Sequence, residues 1–97
     1  MQVGDIISFT EIGETLKAGE VSEYLFWLLV ELSSLRSEKA ICALNDFLVL
    51  GYTRKEVCGK YHLSSGHFSV ALRRIMHVDG IVRLAAVYYN YKSKKDK

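Results

Sequence analysis

Arg54, Lys55, Lys60, Arg73 and Arg74 put five positive charges into one short stretch, interleaved with Ser65, His67 and Ser69. The chemistry open to such a set is electrostatic. Cations displace counterions from phosphates, and short polar side chains bond to phosphate oxygens or base edges. Catalysis is a poor fit, because no acid–base pair, phosphate-binding loop or activated nucleophile stands at a recognisable spacing. Cys58 and His62 are four apart, with Cys42, His67 and His77 as further candidate ligands, but no paired CxxC accompanies them. Neither a metal site, a cofactor nor a small-molecule substrate is therefore expected, and the chain is not expected to be an enzyme.

The elements that must position these residues are short helices. Thr53 with Glu56 three residues on forms a capping box, so a helix is expected to open there. Val57, Cys58 and Tyr61 share its buried face, with the small Cys58 where a second helix comes closest. His62, Leu63, Ser64 and Ser65 make a tight connector, with Leu63 as apolar plug, a serine as cap, and His62 near the point where such turns favour glycine. Phe68, Ala71, Leu72 and Ile75 then form one apolar stripe, opposite Gly66, Ser69, Val70, Arg73 and His77, with His67 and Arg74 on the flank. The spacing over residues 53–76 is that of a helix-turn-helix.

Charge supports a polyanion partner. Residues 53–97 carry ten Lys or Arg against three acids, a net of +7, and residues 1–52 carry three against eight, a net of −5. The total of +2 conceals two halves of opposite sign, and the basic half holds the motif. Arg54 and Lys55 stand in a first helical turn, where positive charge opposes the helix dipole at a cost of about 0.3–1 kcal/mol. Contact with phosphate accounts for that placement. The candidate DNA surface is thus Arg54, Lys55, Cys58, Lys60, Ser65, His67, Ser69, Arg73 and Arg74, with Cys58 acting as spacer rather than ligand. Its side chains are short and few, which argues against strong base readout.

The residues of this motif also carry a family resemblance. The run Arg54-Lys55-Glu56-Val57-Cys58-x-Lys60-Tyr61, with Phe68-Ser69 after the turn, resembles the PapB family of fimbrial (adhesin) biosynthesis regulators. Ser22-Glu23-x-x-Phe26-x-Leu28-Leu29, Ser33-Ser34 and Asp46-x-Leu48-Val49-x-Gly51 extend the likeness over roughly residues 22–91. The resemblance implies a small bacterial transcription regulator that oligomerises on A·T-rich double-stranded DNA near adhesin operon promoters. It ties the arginine and the cysteine of the central run, here Arg54 and Cys58, to DNA binding.

The remaining chain reads as scaffold. The 97 residues suit one domain with a single modest core, nearly half of them hydrophobic and none of them proline. Residues 1–21 are expected to be an extended arm, broken by Gly4, Gly13 and Gly19. Ser22 caps a helix expected from Glu23 to about Leu35, with Leu25, Leu28, Leu29, Leu32 and Leu35 as core stripe. Phe26, Trp27 and Val30 then put large groups on a second side, as expected of an oligomer interface. Ser37 caps a helix from Glu38 to Leu50, stopped by Gly51. Ala40, Ile41, Leu44, Phe47 and Leu48 face inward, and Glu38, Lys39, Asn45 and Asp46 look out. Cys42 and Cys58 are expected at core positions as reduced thiols. Asp79 and Gly80 end the recognition helix, and a last helix follows through Ile81, Leu84, Ala85 and Tyr88. Tyr88, Tyr89 and Tyr91 pack on the core, followed by a solvated basic tail at 92–97.

The expected fold is all-α, a small domain of four to five helices containing a helix-turn-helix, with residues 22–91 as the DNA-binding domain. The start lacks a basic and apolar leader, and the run Tyr24 to Val30 is too short to span a bilayer. A cytoplasmic, nucleoid-associated location with no membrane partner is therefore expected. The alternative is a non-enzymatic protein-interaction module that self-associates through helix 23–35, its helical hairpin purely structural.

Overall fold

The computed structural model describes residues 16–95 and is all-α over that range. Four helices follow one another: α1 (Glu23–Ser33), α2 (Glu38–Leu48), α3 (Arg54–Lys60) and α4 (Ser65–Lys95). Each of the four is opened by a hydroxyl. The Ser22 side chain accepts from the Leu25 amide at 3.1 Å and Ser37 from that of Ala40 at 3.3 Å. Ser64 accepts from the His67 amide at 3.0 Å, so one connector serine does cap the following helix. At α3 the capping box is complete: Thr53 Oγ1 accepts from the Glu56 amide at 3.1 Å, and Glu56 Oε1 from the Thr53 amide at 2.8 Å. These bonds occupy backbone donors that have no partner inside a helix.

The helices close around one core of Phe26, Leu29, Ala43, Leu44, Leu48, Val57, Phe68 and Ile75, all fully buried. α4 is the common wall, packing on α1, α2 and α3, and α2 also packs on α3. Phe47 meets Phe68 edge to face at 5.3 Å between ring centres. Ahead of α1, Leu16 and Val21 enter the core, while the Gly19 and Val21 amides donate to the Phe47 and Leu48 carbonyls at 3.1 Å each. That segment thereby satisfies carbonyls at the C-terminal end of α2, which have no partner within the helix. Gly19 and Gly51 both adopt positive φ, +74° and +86°, and a Cβ on Gly19 would come within 3.1 Å of the Gly51 backbone. The remainder of the expected N-terminal arm, residues 1–15, lies outside the described residues.

Several expectations are corrected. α1 ends at Ser33 rather than near Leu35, because Ser34 turns left-handed at φ 60°. Its core face is Phe26, Leu29, Val30 and Ser33, while Leu28 and Leu32 are exposed. Phe26 and Val30 are therefore interior to this chain and unavailable to a partner; of the expected interface trio only Trp27 is exposed. α2 ends at Leu48, and Cys42 is exposed rather than in the core. Most consequentially, Asp79 and Gly80 do not end a helix. α4 runs 31 residues without a break, about 46 Å at 1.5 Å per residue. Asp79 is buried and accepts from Arg83 Nε one turn on at 2.9 Å, which keeps the helix going. Tyr88, Tyr89 and Tyr91 do not fold back on the core; all three are exposed.

Candidate nucleic-acid interface

The geometry of the interface is set by how α3 leans on the start of α4. Val57 is fully buried, Leu63 plugs the turn, and His62 takes the left-handed conformation (φ 53°) that such a turn demands. The expected stripe of Phe68, Ala71, Leu72 and Ile75 is buried as a set. That burial turns the opposite side of the helix outward: Gly66, His67, Val70, Arg73, Arg74 and His77 are exposed and Ser69 is half-buried. Cys58 is half-buried against the core, consistent in position with a spacer. The neighbouring Gly59 faces open space.

Arg54 is the best-positioned cation of the group. Its Nη1 donates to Ser69 Oγ at 2.8 Å, and its guanidinium lies 5.1 Å from the centre of the Phe68 ring. Ring and hydroxyl together hold the guanidinium across the junction of α3 and α4, with further N–H donors to spare. An arginine so fixed gives up less conformational freedom when it meets an anion. Ser69 thus contributes at least as a positioning group for Arg54, a role its place in the sequence did not announce.

Lys60 differs in having an acidic partner. Its Nζ lies 3.0 Å from Asp46 Oδ2, which also accepts from the Tyr61 hydroxyl at 2.8 Å. The ammonium further lies 5.7 Å from the Tyr52 ring centre and 5.2 Å from that of Tyr61. The Asp46 hydrogen bond raises the pKa of Lys60 above its ordinary value and raises that of Tyr61 likewise, with burial adding to the tyrosine shift. Asp46 itself is only 5% exposed, which corrects the expectation that it looks outward. It ties α2 to the end of α3, and its partners lie fourteen and fifteen residues away. No local sequence signal marks that pairing. The Lys60 side chain remains 55% exposed, with ammonium donors in excess of the Asp46 bond.

Lys55, Ser65, His67, Arg73 and Arg74 are exposed, continuing the polar surface from α3 onto α4. Among the described residues no group of three or more His, Cys, Asp or Glu is arranged to hold a metal ion. No helix described is long and apolar enough to cross a membrane.

Comparison with known proteins converges on one class. The family model for PapB, described as adhesin biosynthesis transcription regulatory protein, matches residues 2–89. The chain is 51% identical over 75 residues to the AFA-III adhesin operon regulatory protein of Escherichia coli, covering 76% of this chain and 74% of the relative. It is 51% identical over 73 residues to the F1845 adhesin operon regulatory protein of the same organism, covering 74% and 86%. The crystal structure of E. coli FocB is similar with a TM-score of 0.75 and 38% identity, over 89% of this chain and 98% of that one.

Proposed function

This chain belongs to the PapB family of adhesin biosynthesis transcription regulatory proteins, and from that premise we propose that it binds A·T-rich double-stranded DNA as an oligomer through a helix-turn-helix over residues 53–76. The observation that carries the proposal is the Arg54 guanidinium, held by Ser69 and the Phe68 ring at the junction of the two motif helices. A cation fixed at that junction, beside the exposed Lys55, Arg73 and Arg74, forms an electrostatic footprint for a phosphate backbone. Residues 22–91 are the DNA-binding domain and residues 92–97 a basic tail. The relatives' names connect them to adhesin operons, and a fimbrial or adhesin operon is the proposed target here. Such a regulator works in the bacterial cytoplasm, associated with the nucleoid.

The exposed side chains on the motif, Ser65, His67, Val70 and Arg73, offer few base-reading groups. Preference for A·T-rich sites then comes chiefly from groove width and deformability. A module this small buries little surface on DNA, and several copies side by side supply the affinity one lacks. A mobility-shift titration on A·T-rich and G·C-rich duplexes at several salt concentrations tests this. Stepwise shifts that prefer the A·T-rich duplex and weaken steeply with salt are expected. No shift even at low salt overturns the proposal. The exposed apolar side chains of α1 favour a second reading, a self-associating interaction module with a structural hairpin. Salt-insensitive association without DNA affinity would select it.

A further inference from the structure

Two exposed apolar surfaces serve no purpose in a solitary chain. On α1, Tyr24, Trp27, Leu28 and Leu32 recur at i, i+3, i+4 and i+8, a complete stripe on the side away from the core; Trp27 is 47% exposed. On α4, the turns beyond Asp79 carry Ile81, Val87 and Tyr88 outward; Tyr88 is 56% exposed, and residues 85–91 are exposed throughout. A soluble monomer seldom shows contiguous patches of this kind unless something covers them.

The two surfaces match each other. Eleven residues make α1 about 16 Å long, and residues 84–95 extend α4 by about 18 Å. Their charges are opposite. Glu20, Glu23 and Glu31 are exposed on and beside α1, and the arm ends in Lys92, Lys94 and Lys95. We propose that the α4 arm of one copy lies along the outward stripe of α1 on a second copy, Tyr88 meeting Trp27, an approach that the opposite charges of the two segments favour. This rests on the oligomeric part of the function proposed above and names the surface that would build it. The contact joins two different patches, so each chain offers one of each.

The test is sedimentation equilibrium of the full chain over a range of concentrations, for wild type, Trp27→Glu, Tyr88→Glu and an equimolar mixture of the two variants. Both positions are exposed, and unchanged circular dichroism melts of dilute protein, below the associating range, show the variants folded. Wild type is expected to associate, and each variant alone to associate at least about 30-fold more weakly, as for a central contact residue. The mixture is expected to regain association, because one variant supplies an intact α1 stripe and the other an intact arm. Wild-type association in either variant overturns the contact while leaving the oligomeric proposal standing; a mixture no better than its components overturns the pairing of unlike patches. A wild type that is monomeric at every concentration overturns both. Undiminished association in Tyr88→Glu with loss of DNA binding overturns the contact and assigns the arm to nucleic acid. Leu32→Glu and Val87→Glu repeat the design should either first variant fail to fold.

Discussion

From Ser65 to Met76, α4 is held from below by Phe68, Ala71, Leu72 and Ile75 in the core and from the side by Arg54 on Ser69. From Ile81 to Tyr91 the same helix has side chains mostly in solvent, with Ile81, Val87 and Tyr88 outward. The first part gets its position from tertiary packing, which fixes where Ser65, His67, Arg73 and Arg74 point. The second gets its conformation by propagation from turns already formed, a step without the nucleation cost that a separate helix would face. A surface that must meet a fixed pattern of phosphates needs the first kind of support. A surface that joins copies of a chain can use the second, since its partner completes it.

Substitutions that separate the two halves sharpen this contrast. Phe68→Ala removes a fully buried ring beneath the first half and is expected to cost about 3–5 kcal/mol in a thermal or denaturant melt. A loss under about 1 kcal/mol would mean that the first half does not depend on the core. Asp46→Ala leaves the half-buried Tyr61 hydroxyl without its acceptor, and about 1 kcal/mol of stability is expected to go with that hydrogen bond, water replacing Asp46 at the exposed Lys60 ammonium. The pH dependence of the same cluster has a definite sign. Lys60 and Tyr61 titrate above their ordinary values of 10.5 and 10.0, so the stability they contribute is fully present below those values. It is lost as pH rises through the raised folded-state values. As pH is raised from neutral, melting curves of wild type and Asp46→Ala should therefore converge only in strong alkali; convergence already near neutral pH would refute the assignment.

Smaller effects fall on the surface. Arg54→Ala should weaken DNA binding on all sequences alike and lower the slope of log K against log salt by about one. An unchanged slope would remove Arg54 from the interface. Cys58→Ala should leave DNA affinity close to wild type, while Cys58→Tyr should depress it by displacing α4; equal effects would refute the spacer role. At the far end, Tyr88→Ala should change the melting of dilute protein by less than about 0.5 kcal/mol, because the ring touches little of its own domain. A cost comparable to that of Phe68→Ala would erase the distinction between the two halves.

Much of the fold was legible because its signals are local. The Thr53–Glu56 box, the Ser22 and Ser37 caps and the serine cap after the turn are bonds over three residues. The spacing of Phe68, Ala71, Leu72 and Ile75 leaves one side of α4 apolar, so its burial follows from periodicity alone. The exposed side of α4 over the motif was legible in the same way, as the side opposite that stripe. What joins them was not. Arg54 and Ser69 are fifteen residues apart, as are Asp46 and Tyr61. Contacts at such separations depend on the angle between helices, on which the intervening sequence carries no periodic mark.

By itself, then, the sequence determined the helix starts, the turn between α3 and α4 and the buried side of the motif, since hydrogen bonds to near neighbours and the 3.6-residue repeat decide all three. Only the tertiary structure decided which stripe of α1 faces inward. Leu25, Leu28, Leu29 and Leu32 are more apolar than Phe26, Leu29, Val30 and Ser33, so apolarity alone selects the wrong stripe, and packing against α4 and α2 makes the choice. Only the tertiary structure carried α4 through Asp79 and Gly80. Taken locally the pair reads as a stop, but burial of Asp79 and its bond to Arg83 hold the backbone helical across it. That continuation brings Tyr88 and its neighbours into solvent instead of onto the core, and with them the surface proposed here for a second copy.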